Sequence, residues 1–159
     1  MSFTYDEVSL APDPNDDELS AELVIKIYRC AMGGLVYGDT SSWKIGQGLL
    51  AKSVPLKEVG PLFGRFYGFG RALLAAAQRP LSSRPISYSG NCVDEALALR
   101  MIETAQRANY SGTLSAARIL LGVDDLGSVL QAALSLASAL ALCGLFVGST
   151  LESHERPLS

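Results

Sequence analysis

Apolar residues recur along this chain in helical patterns separated by glycine and proline. The first pattern sets Leu19, Leu23, Val24, Ile27, Tyr28 and Ala31 on one helix face. Asp16, Asp17 and Glu18 stand at its start, where carboxylates suit the positive end of the helix dipole, and Gly33-Gly34 is placed to end it. The run "LVIKIY" is also rich in β-branched residues, so a short strand over 23–30 is the competing expectation. Residues 1–16 read as an extended acidic arm, since Pro12 and Pro14 oppose helix and Asp13, Asn15 and Asp16 favour turns.

A short helix follows, capped by Ser41 or Ser42 and running to Lys52, with Trp43, Ile45, Leu49 and Leu50 on its apolar face. Gly46 and Gly48 weaken it by about 1 kcal/mol each relative to alanine. Val54-Pro55 breaks the chain, and Pro61 suits the first turn of a helix reaching Gln78. "LSSRPISYSGN" reads as a loop or as a short strand over 84–88. Asn91 caps a helix over 92–108, whose first turn holds Asp94 and Glu95. Thr113 caps another over 114–121, closed by Gly122, and Asp124 and Asp125 open a last helix reaching Val147.

Within "GPLFGRFYGFGRALLAAAQ", Gly60, Gly64, Gly68, Ala72 and Ala76 fall at every fourth position. On a helix they form a flat strip beside the bulky Leu62, Phe66, Phe69 and Leu73. Ala133, Ala137 and Ala141 repeat that spacing in the last helix. Two such strips predict a close approach of these helices, with Gly64 near Ala137. The alternative for "FGRFYGFG" is a glycine-broken aromatic hairpin.

These patterns predict a mainly α, single-domain bundle of five or six helices over 17–150, built around the apolar C-terminal helix. A polar tail, 151–159, follows. The same C-terminal helix raises a membrane reading, because a span needs about 20 apolar residues and 127–148 is uncharged. Against a span stand the polar stripe Ser128, Gln131, Ser135 and Ser138, acidic flanks, and the lack of interfacial Trp or Tyr. A core helix of a water-soluble bundle is the favoured expectation.

Composition narrows the chemistry. The net charge is −3 and charged residues make up 18% of the chain, below the usual ~25%. The basic residues are scattered, which excludes a phosphate-binding surface and nucleic-acid partners. The glycines of 60–70 fit neither the Walker pattern nor the dinucleotide pattern. Residues 112–134 outline a helix-turn-helix, but its second helix opens with two aspartates and has no basic residue. Cys30, Cys92 and Cys143 are too dispersed for a disulfide framework and suggest reduced thiols in the cytoplasm. The single histidine, His154, lies in the tail, and no metal-ligand spacing occurs. Cys92 at a helix start is the one thiol whose position favours reactivity, though a small apolar role is the simpler reading.

The expected function is therefore non-enzymatic, with no cofactor and no metal. It is protein interaction or assembly, as a self-associating homo-oligomeric regulator, adaptor or immunity-type inhibitor. A structural shell or matrix protein and a single-span membrane protein are the alternatives. Candidate contact residues are the acidic Asp16, Asp17 and Glu18, and the aromatic Phe63, Phe66, Tyr67 and Phe69, since aromatic residues are common interface anchors. Tyr5-Asp6-Glu7-Val8 in the arm fits a loose docking pattern of a tyrosine followed by an apolar residue.

Overall fold

A computed structural model of the protein describes residues 14–148. Over that span the chain forms six helices and no strand: α1 (Pro14–Tyr37), α2 (Thr40–Ala51), α3 (Leu56–Ala76), α4 (Val93–Gln106), α5 (Tyr110–Leu121) and α6 (Gly127–Leu142). The helical bundle predicted from periodicity is the fold found, and neither 23–30 nor 84–88 is a strand. The aromatic-glycine segment is helical throughout.

Local chemistry sets the helix ends. α1 continues through Gly33-Gly34 instead of stopping there. Gly34 lies against Trp43 of α2, and a β-carbon at this position would collide with the indole. The glycine pair thus serves helix contact, and Gly38, at φ 67°, makes the turn. Asp39, not Ser41 or Ser42, caps α2 by accepting from the Ser41 N–H at 3.0 Å and the Ser42 hydroxyl at 3.0 Å. α3 starts at Leu56, so Pro61 lies inside the helix. Pro61 and Lys57, whose carbonyl the proline cannot bond, are both exposed, and water can serve that carbonyl. The caps of α4 and α5 are Cys92 and Asn109, replacing the expected Asn91 and Thr113. Gly122, at φ 72°, closes α5 as predicted.

The apolar run at 127–148 is not one helix. α6 ends at Leu142, Gly144 turns the chain at φ 76°, and the Leu145 N–H bonds back to the Leu140 carbonyl at 2.9 Å. Leu145 and Val147 are then buried in a strap held by Gln106. Its amide donates to the Ala137 and Leu145 carbonyls at 3.3 and 3.0 Å and accepts from the Val147 N–H at 2.8 Å. α6 is about 24 Å long against the ~30 Å of a bilayer core. Among the described residues no helix is long and apolar enough to cross a membrane.

α6 packs on α3 and α4 and touches α5, but it is two-faced. Val129, Ala133, Leu136, Ala137 and Leu140 are buried, whereas Leu142 is 89% exposed. The helix most enclosed over its middle is α1, which contacts α2, α3 and α4. Val24, Ile25 and all residues from Ile27 to Met32 are buried. Aromatic packing ties α1 and α2 to α3. The Tyr28 and Phe69 rings lie 6.1 Å apart, and Trp43 meets Phe63 at 6.4 Å and Tyr67 edge-on at 5.1 Å.

The two strips of small residues do not meet. Gly60, Gly64 and Gly68 are exposed, and a β-carbon at any of them would have no neighbour within 4 Å. Ala137 is buried, with its carbonyl bonded to Gln106 of α4. α3 and α6 do pack, and Leu62, Arg65, Ala139 and Leu142 line a groove of about 270 Å³ between them. An Arg65–Ser135 hydrogen bond also joins them. Four-residue periodicity identified a common face on each helix. It carried no information about which way that face points.

Candidate functional site

The most unusual group in the core is a cation. Arg29 lies midway along α1 and is 3% exposed. A buried guanidinium is tolerated only when paired and hydrogen-bonded, and Arg29 meets that demand in full. All five of its N–H groups are used. Nε donates to Glu95 at 2.8 Å, and one terminal nitrogen donates to Glu95 at 3.0 Å and the Gly90 carbonyl at 2.7 Å. The other donates to the Ile86 and Tyr88 carbonyls at 3.2 and 2.9 Å.

Those carbonyls belong to the connection between α3 and α4, residues 77–92. It is the longest connection among the described residues, and connections beyond about 12–15 residues are commonly functional. It has no ladder or helix to satisfy its backbone, so side chains do that work. Glu95 accepts from the Arg84 N–H at 2.8 Å and the Cys92 N–H at 3.1 Å. Asp94 accepts from the Ser82 N–H at 2.8 Å and takes a two-point grip from Arg79 at 2.7 and 2.9 Å. Cys92 completes a capping box with Glu95, and its thiol points to the Ser82 carbonyl at 3.5 Å. The loop is therefore pinned along most of its length by two arginines and two carboxylates.

These contacts also set the local electrostatics. Burial pushes the Glu95 pKa upward, but the hydrogen bonds from Arg29, Arg84 and Cys92 together outweigh it and leave the carboxyl below its ordinary range. The Arg79 hydrogen bonds hold Asp94 below its usual value, against a smaller opposing effect of burial and with help from the Ser82 N–H. Tyr28 is raised well above an ordinary phenol, first by burial and then by the nearby negative Glu95 and Asp94. The carboxylates stay ionised at neutral pH and Tyr28 keeps its proton.

On its outer side the loop presents Arg84 over the Tyr88 ring, 4.8 Å from its centroid. Tyr88 is 48% exposed, and Val93, the first residue of α4, is 74% exposed. Ser82, Ser83, Ser87, Ser89 and Asn91 of the same connection are also exposed. Between 77 and 92 the sequence has two arginines and no carboxylate, a locally basic stretch in an acidic chain.

The aromatic contact patch expected from sequence is not a surface. Phe63, Phe66 and Phe69 are buried in the core, and Tyr67 is half-buried against Trp43. They follow the bulky stripe of α3, which faces inward while the glycines face water. Asp16, Asp17 and Glu18 lie in the first turns of α1, so their backbone is helical and not part of an extended arm. Residues 1–13 of the arm, the tail and His154 lie outside the described residues. Among the described residues no cluster of His, Cys, Asp or Glu is placed to hold a metal ion.

Arg29 and its loop were missed in the sequence reading, although a signal was there. Arg29 falls four residues after Ile25 and three before Met32, so a full charge interrupts an inward-facing row. A charge in that register requires a partner, and Asp94-Glu95 was available. Read only as dipole and capping groups, the two acids concealed that pairing. Compared with known protein families, with curated proteins and with solved structures, the chain matches none.

Proposed function

We propose that this is a non-enzymatic interaction protein that recognises a partner protein through the 77–92 loop. The observation that carries the reading is Arg29. Taking an ion pair out of water costs several kcal/mol per ion, and here it is used to hold three carbonyls of one exposed loop. A loop ordered before binding loses less conformational entropy on docking. Its outer face matches the demands of recognition: Tyr and Arg are enriched at binding hot spots, and Ser, Gly and Asn supply adaptable hydrogen bonds. The exposed Arg84, set over the Tyr88 ring, favours an acidic partner surface. A reducing cytoplasmic setting fits Cys30, Cys92 and Cys143, which are all free thiols.

The test is affinity capture from the native source, followed by a dissociation constant for each captured partner with the purified chain. Arg84→Glu and Tyr88→Ala should each weaken a loop-dependent partner by about tenfold or more. The exposed α6 control Gln131→Glu should leave it unchanged. Partners indifferent to both loop variants would sink the assignment.

A further inference from the structure

We infer that the groove between α3 and α6 is a self-docking surface, filled in solution by Leu142 of a second copy of this chain. The pairing is two-fold, and Glu58 of each copy faces Arg65 of the other. It goes beyond the loop reading and does not depend on what the loop binds.

Shape is the first argument. α3 and α6 run antiparallel here: Arg65 bonds to Ser135 at one end of the groove. At the other end burial, and then the charge of Glu58, push the Cys143 thiol pKa up. Leu62 and Ala139 line the groove between these ends. Leu142 stands at its rim and is 89% exposed, more than any other large apolar residue described. The groove, at about 270 Å³, has room for a leucine side chain. One face thus carries both a projecting leucine and a hollow that fits one. A two-fold interface requires this, because each copy must supply both halves.

Charge has the same form, and it decides between a second copy and an unlike partner. Glu58 and Arg65 both line the groove and lie seven residues apart on α3, two turns or about 10 Å, hence on one side of the helix. Among the described residues Glu58 pairs with no cation, and Arg65 meets the Ser135 hydroxyl but no carboxylate. A two-fold axis midway between them, beside Leu62, sets each carboxylate against the other copy's guanidinium. That axis passes α6 level with Ala139. Leu142 lies three residues, about 4 Å, further along. Rotation about the axis therefore lays it over the stretch between Leu62 and Arg65 of the other copy. No residue of the 77–92 connection lines the groove.

Sedimentation equilibrium of the full chain, from about 1 µM to 1 mM, tests the pairing. The expected result is a reversible monomer–dimer equilibrium that stops at two, since a two-fold contact closes on itself. Leu142→Asp should weaken the dimer by about tenfold or more. Because that side chain is 89% exposed, the variant monomer should melt like the wild-type monomer. Glu58→Lys and Arg65→Glu should each weaken pairing alone, because each sets like charges together twice. Mixed in equal amounts, these two variants should form a heterodimer about as tight as the wild-type dimer, since every introduced charge then meets its opposite. That rescue also shows both variants to be folded. Arg84→Glu should leave pairing unchanged. A chain that stays monomeric across the range, assembly that continues past two, a dimer indifferent to Leu142→Asp, or variants that do not rescue each other would each overturn the inference. Loss of pairing with Arg84→Glu would do so too, by moving the interface to the loop.

Discussion

Replacing Arg29 by methionine tests the reasoning most directly. Methionine keeps the length and most of the apolar volume, so loss of packing contributes little. What it removes is five hydrogen bonds from a residue 3% exposed. Glu95, which is 0% exposed, keeps only the Arg84 and Cys92 N–H groups, and the Ile86, Tyr88 and Gly90 carbonyls lose their donor. Breaking one side of a buried ion pair costs about 3–5 kcal/mol, a large share of the ~5–15 kcal/mol of a typical domain. At about 2–4 °C per kcal/mol for a chain of this length, the melting temperature should fall by about 6–20 °C. Circular dichroism with urea and heat measures the loss. Amide hydrogen exchange locates it, and the Ser82 and Arg84 N–H groups should lose protection before the helices do. The double variant Arg29→Met/Glu95→Leu should lose less than the single, because no charge is then left buried without its partner. A melting temperature within 2 °C of wild type, or loop exchange that is unchanged, would refute the view that this pair holds the loop.

Three further outcomes follow from the same contacts. Asp94 and Glu95 both titrate below their ordinary range in the folded chain, so their stabilisation is complete above about pH 4.5 and is lost as pH falls through the folded values. The stability gap between wild type and Asp94→Asn should therefore hold steady from pH 5 to 7 and close in acid, as read by urea titrations at each pH. Gly64→Ala and Gly68→Ala should stabilise α3 by about 1 kcal/mol each, since the new methyl groups meet nothing within 4 Å, whereas Gly34→Ala should destabilise through collision with Trp43; thermal melts give opposite signs. Gln106→Leu should cost about 1–3 kcal/mol and raise amide exchange at Val147, because that side chain makes three hydrogen bonds to the strap and the end of α6.

The amino-acid sequence alone determined that this protein is helical and roughly where each helix lies. Periodicity, capping groups and the glycine at 122 are local, and local preferences survive folding when nothing opposes them. It also determined that Leu62, Phe66, Phe69 and Leu73 share one side of α3 and the glycines another, because the angle between residues is fixed by the helix. Only the tertiary structure decided which side turned inward. Burying the rings removes far more apolar area from water than burying glycines would, and that preference outweighed the close packing that glycine permits. The same applies to the ends of α1 and α6. Gly33-Gly34 reads as a stop until Trp43 is placed against it, and an unbroken apolar run reads as one helix until Gln106 offers bonds to a strap. The charged clasp lay furthest from local inference. Arg29 and Glu95 are 66 residues apart, and a guanidinium finds its partners only after three helices and a loop have closed around it.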